Sequence, residues 1–287
     1  MTSLDPDEIR AAQRAAWESS APAWDTGGDS FYAATAPISD WLIEKLDPAS
    51  GQRLLELAAG RGDISLTLAG KVAPDGSVIC TDGVEAMVEI AERRASDLGI
   101  PDELLTHKPM DLEWIDADAA SLDGIACRFG YMLCVDPEAA LHEARRVLKP
   151  GGRLVLSVWD QLDDNPWFKI VREEPVKAGL TQEPDPSVPG PFSLSAPGQL
   201  KELLAGAGFV EPIVESVEIT FQEPSLDAAW DTIVGMSAVS FKRVLADASP
   251  AEHYKLRDAI EARWSEFAGP DGQISMPGRV LCALAEA

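Results

Sequence analysis

The chain has 287 residues, enough for one large domain or for a core carrying a cap. Its 48 acidic residues against 24 basic ones give a formal charge of −24, a surface that repels nucleic-acid phosphates and anionic lipid. The opening MTSLDPDEIR has no basic start followed by an apolar run, and no apolar stretch approaches the roughly 20 residues that span a bilayer. The four cysteines (Cys80, Cys127, Cys134, Cys282) form no CxxC pair and read as small buried hydrophobes. The expectation is a cytoplasmic protein without a metal site, a membrane span or a nucleic-acid partner.

In chain order, residues 6–18 and 36–46 are predicted as amphipathic helices, joined by the aromatic stretch WDTGGDSFY. Strands are predicted at 53–57, 77–81, 104–108, 123–128 and 153–159, with helices at 63–71, 84–97 and 137–148. The last of these ends in KPGG, a Pro/Gly stop. Short apolar strands alternating with helices imply a parallel sheet with right-handed crossovers. Residues 172–198 hold Pro175, Pro184, Pro186, Pro189, Pro191 and Pro197 and read as a long irregular lid. A helix at 197–207, a strand at 213–222, helices over 225–268 and a final strand in GRVLCALAEA follow. The fold class expected is α/β: a Rossmann-like, doubly wound sheet of seven strands, mostly parallel with one reversed, plus N-terminal helices and a helical cap. Divided along the chain, residues 1–47 form a helical roof and 48–160 the nucleoside-binding core. Residues 161–224 carry the lid, a helix and the sixth strand, 225–270 the cap insertion, and 271–287 the last strand.

The stretch LLELAAGRGD, residues 54–63, ends a strand on an acid and turns into a Gly-rich loop. A dinucleotide fingerprint would read GxGxxG, with an acid about 20 residues on for the ribose. Gly60 and Gly62 supply the first two positions, but the third is Ser65, while Asp82 stands where the ribose carboxylate belongs. Glu56 decides between cofactors. A carboxylate beside the loop disfavours a diphosphate and suits a ligand with an ammonium and a sulfonium. S-adenosylmethionine (SAM) has both, with a ribose, an adenine and no phosphate.

These segments together resemble the class I SAM-dependent methyltransferases, in the branch similar to the ubiquinone/menaquinone-biosynthesis methyltransferases. LLELAAGRGD resembles the family's first motif, VICTDGVEAM the ribose motif and PMDLEW the adenine motif. DGIACRFGYML resembles the fourth-strand motif, and EARRVLKPGGRLVLSVW the helix and fifth strand. One departure is Ala58, where the ExGxGxG pattern has its first Gly. The resemblance implies that Glu56 holds the methionyl ammonium, that Ala58, Gly60 and Gly62 let the backbone approach the ligand, and that Asp82, with Gly83 beside it, accepts the ribose hydroxyls. It also implies that Met87, Met110, Asp111 and Leu112 surround the adenine, and that Arg128 and Phe129 close the fourth strand where methyl and acceptor meet. The product would be S-adenosylhomocysteine.

The acceptor site draws on Trp24, Phe31, Tyr32, Tyr131, Trp159, Trp167, Phe168 and Phe192, an apolar set suited to a small flat or lipophilic molecule. Tyr32 or Tyr131 could orient an acceptor hydroxyl, and Arg128 lines the same pocket. Of the three histidines, His142 falls on a solvated helix face and His107 within a strand. His253 shares a helical stripe with Leu256, Ile260 and Trp264 in the cap and is the one candidate for catalysis, alongside Tyr32 and Arg128. RFGY follows the fourth strand where amino-methylating nucleic-acid enzymes carry (D/N)PPY. Asp160, Asp163 and Asp164 lack a facing acid cluster for magnesium. Methyl transfer to oxygen, carbon or nitrogen of a small molecule is the leading expectation. The rivals are a nicotinamide-dependent oxidoreductase on a similar sheet and a methyltransferase-like fold that uses SAM without methylating. Monomer and homodimer both remain open.

Overall fold

The computed structural model describes residues 5–185, 188–236 and 239–287. Pro186 of the proline-rich segment lies outside them, as do residues 1–4 of the roof and 237–238 of the cap.

Three helices open the chain: α1 (Pro6–Gly27), α2 (Asp29–Ala34) and α3 (Ala36–Leu46). Asp5 starts α1, its side chain accepting from the Asp7 N–H at 2.9 Å, with Pro6 in the first turn where its missing N–H costs nothing. Then come β1 (Arg53–Leu57), α4 (Asp63–Val72), β2 (Ser77–Asp82), α5 (Glu85–Asp97), β3 (Leu105–Pro109), β4 (Leu122–Arg128), α6 (Pro137–Val147) and β5 (Leu148–Trp159). The second half holds α7 (Pro166–Lys177), α8 (Gln199–Gly206), β6 (Val210–Glu223), α9 (Leu226–Met236), α10 (Val239–Asp247), α11 (Pro250–Trp264) and β7 (Ile274–Glu286). Ser249 and Glu252 form a reciprocal capping box at the start of α11.

The seven strands form one sheet in the order β3-β2-β1-β4-β5-β7-β6. All pairs among β1–β5 are parallel, and β7 runs antiparallel to both of its neighbours. This is the seven-stranded, singly reversed sheet expected. The central strands are buried on both faces, as Leu54, Leu55, Ile125, Leu154 and Leu156 show, so they read as continuous apolar runs. The order reverses between β1 and β4, and ligands of such sheets bind outside the carboxyl ends of the strands at that point. The β6–β7 pair continues beyond the level of Trp159, which pairs with Val280. Ile219, Phe221 and Glu223 lie six or fewer residues further on and share one buried face.

Three expectations about elements need correction. WDTGGDSFY is not a connector: it contains the end of α1 and the first four residues of α2. The irregular segment starts only after α7, whose last turn contains Pro175. KPGG lies within β5 rather than closing a helix, since α6 already ends at Val147.

Candidate functional site

The loop after β1 is built on alternating left-handed residues. Ala58 has φ +50°, Gly60 +55° and Gly62 +76°. Glycine adopts these angles freely; Ala58 does so against the clash of its own Cβ. Gly62 is also a close-packing point, because a Cβ there would stand 3.0 Å from that of Ala91. The loop delivers the chain to the N-terminus of α4, where Ser65 donates its N–H to Glu56 Oε2 at 2.7 Å and its hydroxyl to the same oxygen. Ser65, the misfit of the dinucleotide pattern, is thus the residue that fixes Glu56. The Glu56 side chain is buried, which pushes its pKa up to about 7 despite the Ser65 donors and the Arg128 charge.

At the end of β2, Asp82 accepts from the Gly60 N–H at 2.9 Å and from the Val84 N–H at 3.0 Å. Burial lifts it to about 6, opposed by those donors. Gly83 follows it with open space beside its Cα. Met87 packs with Ala21, Val84 and Ile90 against Trp17 and Trp24. Met110 is buried and joins its N–H to the Asp82 carbonyl at 2.9 Å. Asp111 accepts the Glu113 N–H at 3.0 Å and faces Arg14 of α1 at 3.5 Å. Leu112 packs close to Gly130, where an added Cβ would stand 3.3 Å from its Cδ2. The cofactor candidates therefore share one edge, and α1 crosses it from Arg14 to Trp24.

Arg128 ends β4 with its Nη1 donating to Ser39 at 2.9 Å and Thr35 at 3.3 Å, and its guanidinium 4.5 Å from the Tyr32 ring centre. No carboxylate lies within ion-pair distance of it among the described residues. Burial raises Tyr32 above its ordinary range, against the pull of Arg128 and Arg61, so it remains a phenol. Phe129, at φ +61°, stacks on Trp159 with ring centres 4.6 Å apart.

Around that stack the aromatic residues join into one network. Phe31 meets Trp24, Tyr32, Phe129 and Trp159, and Phe168 links Trp159 to Phe192. Phe221 touches Phe31, Trp159, Trp167 and Phe168, and Trp167 stacks on Trp264 at 5.1 Å. A cavity of about 370 Å³ opens beside it, lined by Gln161, Leu162, Phe192, Ser193 and Gln199 among others. Tyr131 does not join the network. A short 3-10 turn, Tyr131–Leu133, carries it into the core at 1% exposure, with no partner for its hydroxyl among the described residues. His253 stands edge-on to Trp230 in the cap helices, and no ring contact among the described residues ties it to the network. Asp160 and Asp163 are tied to Ser216 and Lys169. Sequence reasoning missed Phe221 and Trp264, whose signal was only the strand and helix stripe each belongs to. It also missed Arg61, which a charged residue at the variable position of Gly60-x-Gly62 should have flagged.

The residues fit an adenosyl amino acid better than a dinucleotide. Two carboxylates line the loop. Among the atoms sealed there without hydrogen-bond partners are the N–H donors of Trp24 and Arg61. The sheet order 3-2-1-4-5-7-6, with this loop and these acids, is the arrangement that the resemblance to class I SAM-dependent methyltransferases implies. Residues 39–163 match the ubiE/COQ5 methyltransferase family. An uncharacterised 37.1 kDa protein of transposon Tn4556 from Streptomyces fradiae is 32% identical over 73% of this chain and 57% of its own length. The ubiquinone/menaquinone C-methyltransferase UbiE of Acidiphilium cryptum is 38% identical over 39% of this chain and 44% of its own. The matches thus span about half the length of these relatives. The YcgJ protein of Bacillus subtilis shares the fold, with a TM-score of 0.58, 19% identity and coverage of 86% of this chain and 97% of that one. Over residues 39–163, which hold the loop and both acids, the chain is thus similar to the ubiE/COQ5 methyltransferases.

Proposed function

We propose that the protein transfers a methyl group from SAM to a small, flat, largely apolar acceptor of phenol or quinol type. The observation that carries this reading is the aromatic network from Phe31 to Phe221, joined to the carboxyl edge of the sheet at Phe129 and Arg128. When bound, SAM supplies a methyl group on a sulfonium, already activated toward a nucleophile. What remains for the chain is to bind, align and keep water out, and alignment alone can be worth about 7–11 kcal/mol. Glu56 would hold the ammonium, Asp82 the ribose hydroxyls, and Met110 and Asp111 the adenine side. Phe31, Phe129, Trp159 and Phe221 would clamp the acceptor ring and exclude solvent. Arg128, a guanidinium held by the Ser39 and Thr35 hydroxyls, would balance the negative charge of a phenolate or enolate. Tyr32, kept as a phenol, would donate a hydrogen bond. The UbiE relatives, named as quinone C-methyltransferases, support a quinol acceptor and carbon as the methylated atom.

The test is transfer of labelled methyl from SAM across a panel of quinols, phenols and amines. Turnover of a quinol or phenol, lost in Arg128→Met, is expected. Labelling confined to amines or absent from the panel would refute the reading.

A further inference from the structure

Arg61 occupies the variable position of Gly60-x-Gly62, and only 8% of its side chain is exposed. Its Nη1 donates to Asp29 at 2.9 Å and to the Trp24 carbonyl at 3.4 Å, so this one side chain reaches from the glycine loop to both α1 and α2. Its guanidinium lies 4.5 Å from the Tyr32 ring centre. The Tyr32 hydroxyl in turn comes within 3.4 Å of where a Cβ on Gly60 would stand. Gly28 makes the approach possible: a Cβ there would meet Arg61 Nη1 at 3.2 Å and Tyr32 Cε2 at 3.0 Å. The roof is therefore seated on the loop through Arg61.

Two donors in this seam, Arg61 Nε and the Trp24 indole nitrogen, are sealed from solvent and lack hydrogen-bond partners among the described residues. Asp63 is the nearest carboxylate to Arg61 Nε, but at 3.7 Å it is out of hydrogen-bonding reach, and Arg94 holds its other oxygen at 2.9 Å. Orphaned buried donors are costly and rare in native proteins, and they call for a partner. One cationic and one neutral donor beside a loop suit a carboxylate. Glu56 lies on β1, just before the same loop, so the two ends of an amino-acid zwitterion would meet opposite charges.

We propose that Arg61 and the Trp24 indole N–H bind the α-carboxylate of SAM, and that this contact draws α1 and α2 down over the cofactor. The proposal rests on the SAM reading above and adds an order of events: the carboxylate completes the seam, so the roof closes after the cofactor has entered.

Calorimetry with SAM and with decarboxylated SAM, which differ only in that group, tests it. The wild type should prefer SAM by about tenfold or more, the usual worth of a charged hydrogen-bonded contact. Arg61→Met and Trp24→Phe should each weaken SAM and leave decarboxylated SAM unchanged, erasing the preference. Asp29→Asn, which removes only the exposed outer partner, should retain it. Amide exchange over residues 6–34 should slow with SAM and less with the decarboxylated ligand. Equal weakening of both ligands in both variants would mean a structural role, and a preference that survives both would mean another carboxylate site; either overturns the proposal. A wild type that binds neither ligand overturns the cofactor reading itself, while one that binds both equally overturns only this inference.

Discussion

The two halves of the cleft are made differently. The cofactor half is built from short consecutive stretches: Glu56 to Ser65, Asp82 to Met87 and Met110 to Glu113. Its business is charge and backbone geometry, and each stretch carries its own signature. The acceptor half is assembled from α1, α2, β4, β5, α7, β6 and α11, which are scattered along the chain and meet only through ring contacts. Electrostatic sites can be local in sequence, because an acid and a loop suffice; an apolar pocket is a property of packing, and any one of its rings could equally be core.

That contrast predicts that substitutions will separate the halves. The largest effect is expected at Asp82, which would meet the ribose and also holds the Gly60 and Val84 amides. Asp82→Ala should weaken S-adenosylhomocysteine by about 100-fold in calorimetry, two charged hydrogen bonds being lost.

Glu56 sharpens the comparison through pH. Its folded pKa, about 7, lies above the ordinary carboxylate value because of burial, so its ionised form burdens the fold above that pH. The burden disappears as pH falls through 7 toward the unfolded value. Glu56→Gln should therefore be more stable than the wild type near pH 8, on the order of 1–3 kcal/mol in urea denaturation, and no different at acid pH. An ammonium opposite Glu56 favours its charged form. Wild-type affinity for SAM should thus rise between about pH 6 and pH 8 with proton release, and the Gln variant should show a weaker, flat profile.

In the other half, Phe221→Leu keeps an apolar side chain on β6 and should cost less than about 1.5 kcal/mol of stability. It should raise the KM for the acceptor several-fold and leave the S-adenosylhomocysteine Kd unchanged; a shift in both would show that the halves are not separable. The smallest effect is expected at Ala58, whose φ of +50° strains an L-residue by about 1–2 kcal/mol. Ala58→Gly should raise the urea midpoint slightly, since extra freedom in the unfolded chain offsets part of the relief.

Legibility followed the same division. The strands β1 to β5 were readable to within a few residues because apolar runs and Gly/Pro boundaries are local signals. Helix α2, six residues long and preceded by Gly27 and Gly28, has too few positions for a periodic pattern. Helix α7 was hidden by Pro175, which reads as a breaker although it lies within the last turn of the helix. Tyr131 illustrates the limit at the site. Following β4 so closely, it should line the cleft, yet one 3-10 turn rotates it into the core. Glu56 and Asp82 were named from charge and spacing alone. The partners that hold Glu56 in place and seat the roof, Ser65 and Arg61, became visible only once the loop was folded.

The account rests on an acidic, phosphate-refusing edge beside β1 and β2. Titrating the purified protein with SAM and with NAD⁺ in one calorimetric series probes it most directly. Binding of SAM, diminished in Asp82→Ala, with no heat from NAD⁺, is the expected result. Saturable binding of NAD⁺, or SAM binding indifferent to the loss of Asp82, would contradict it.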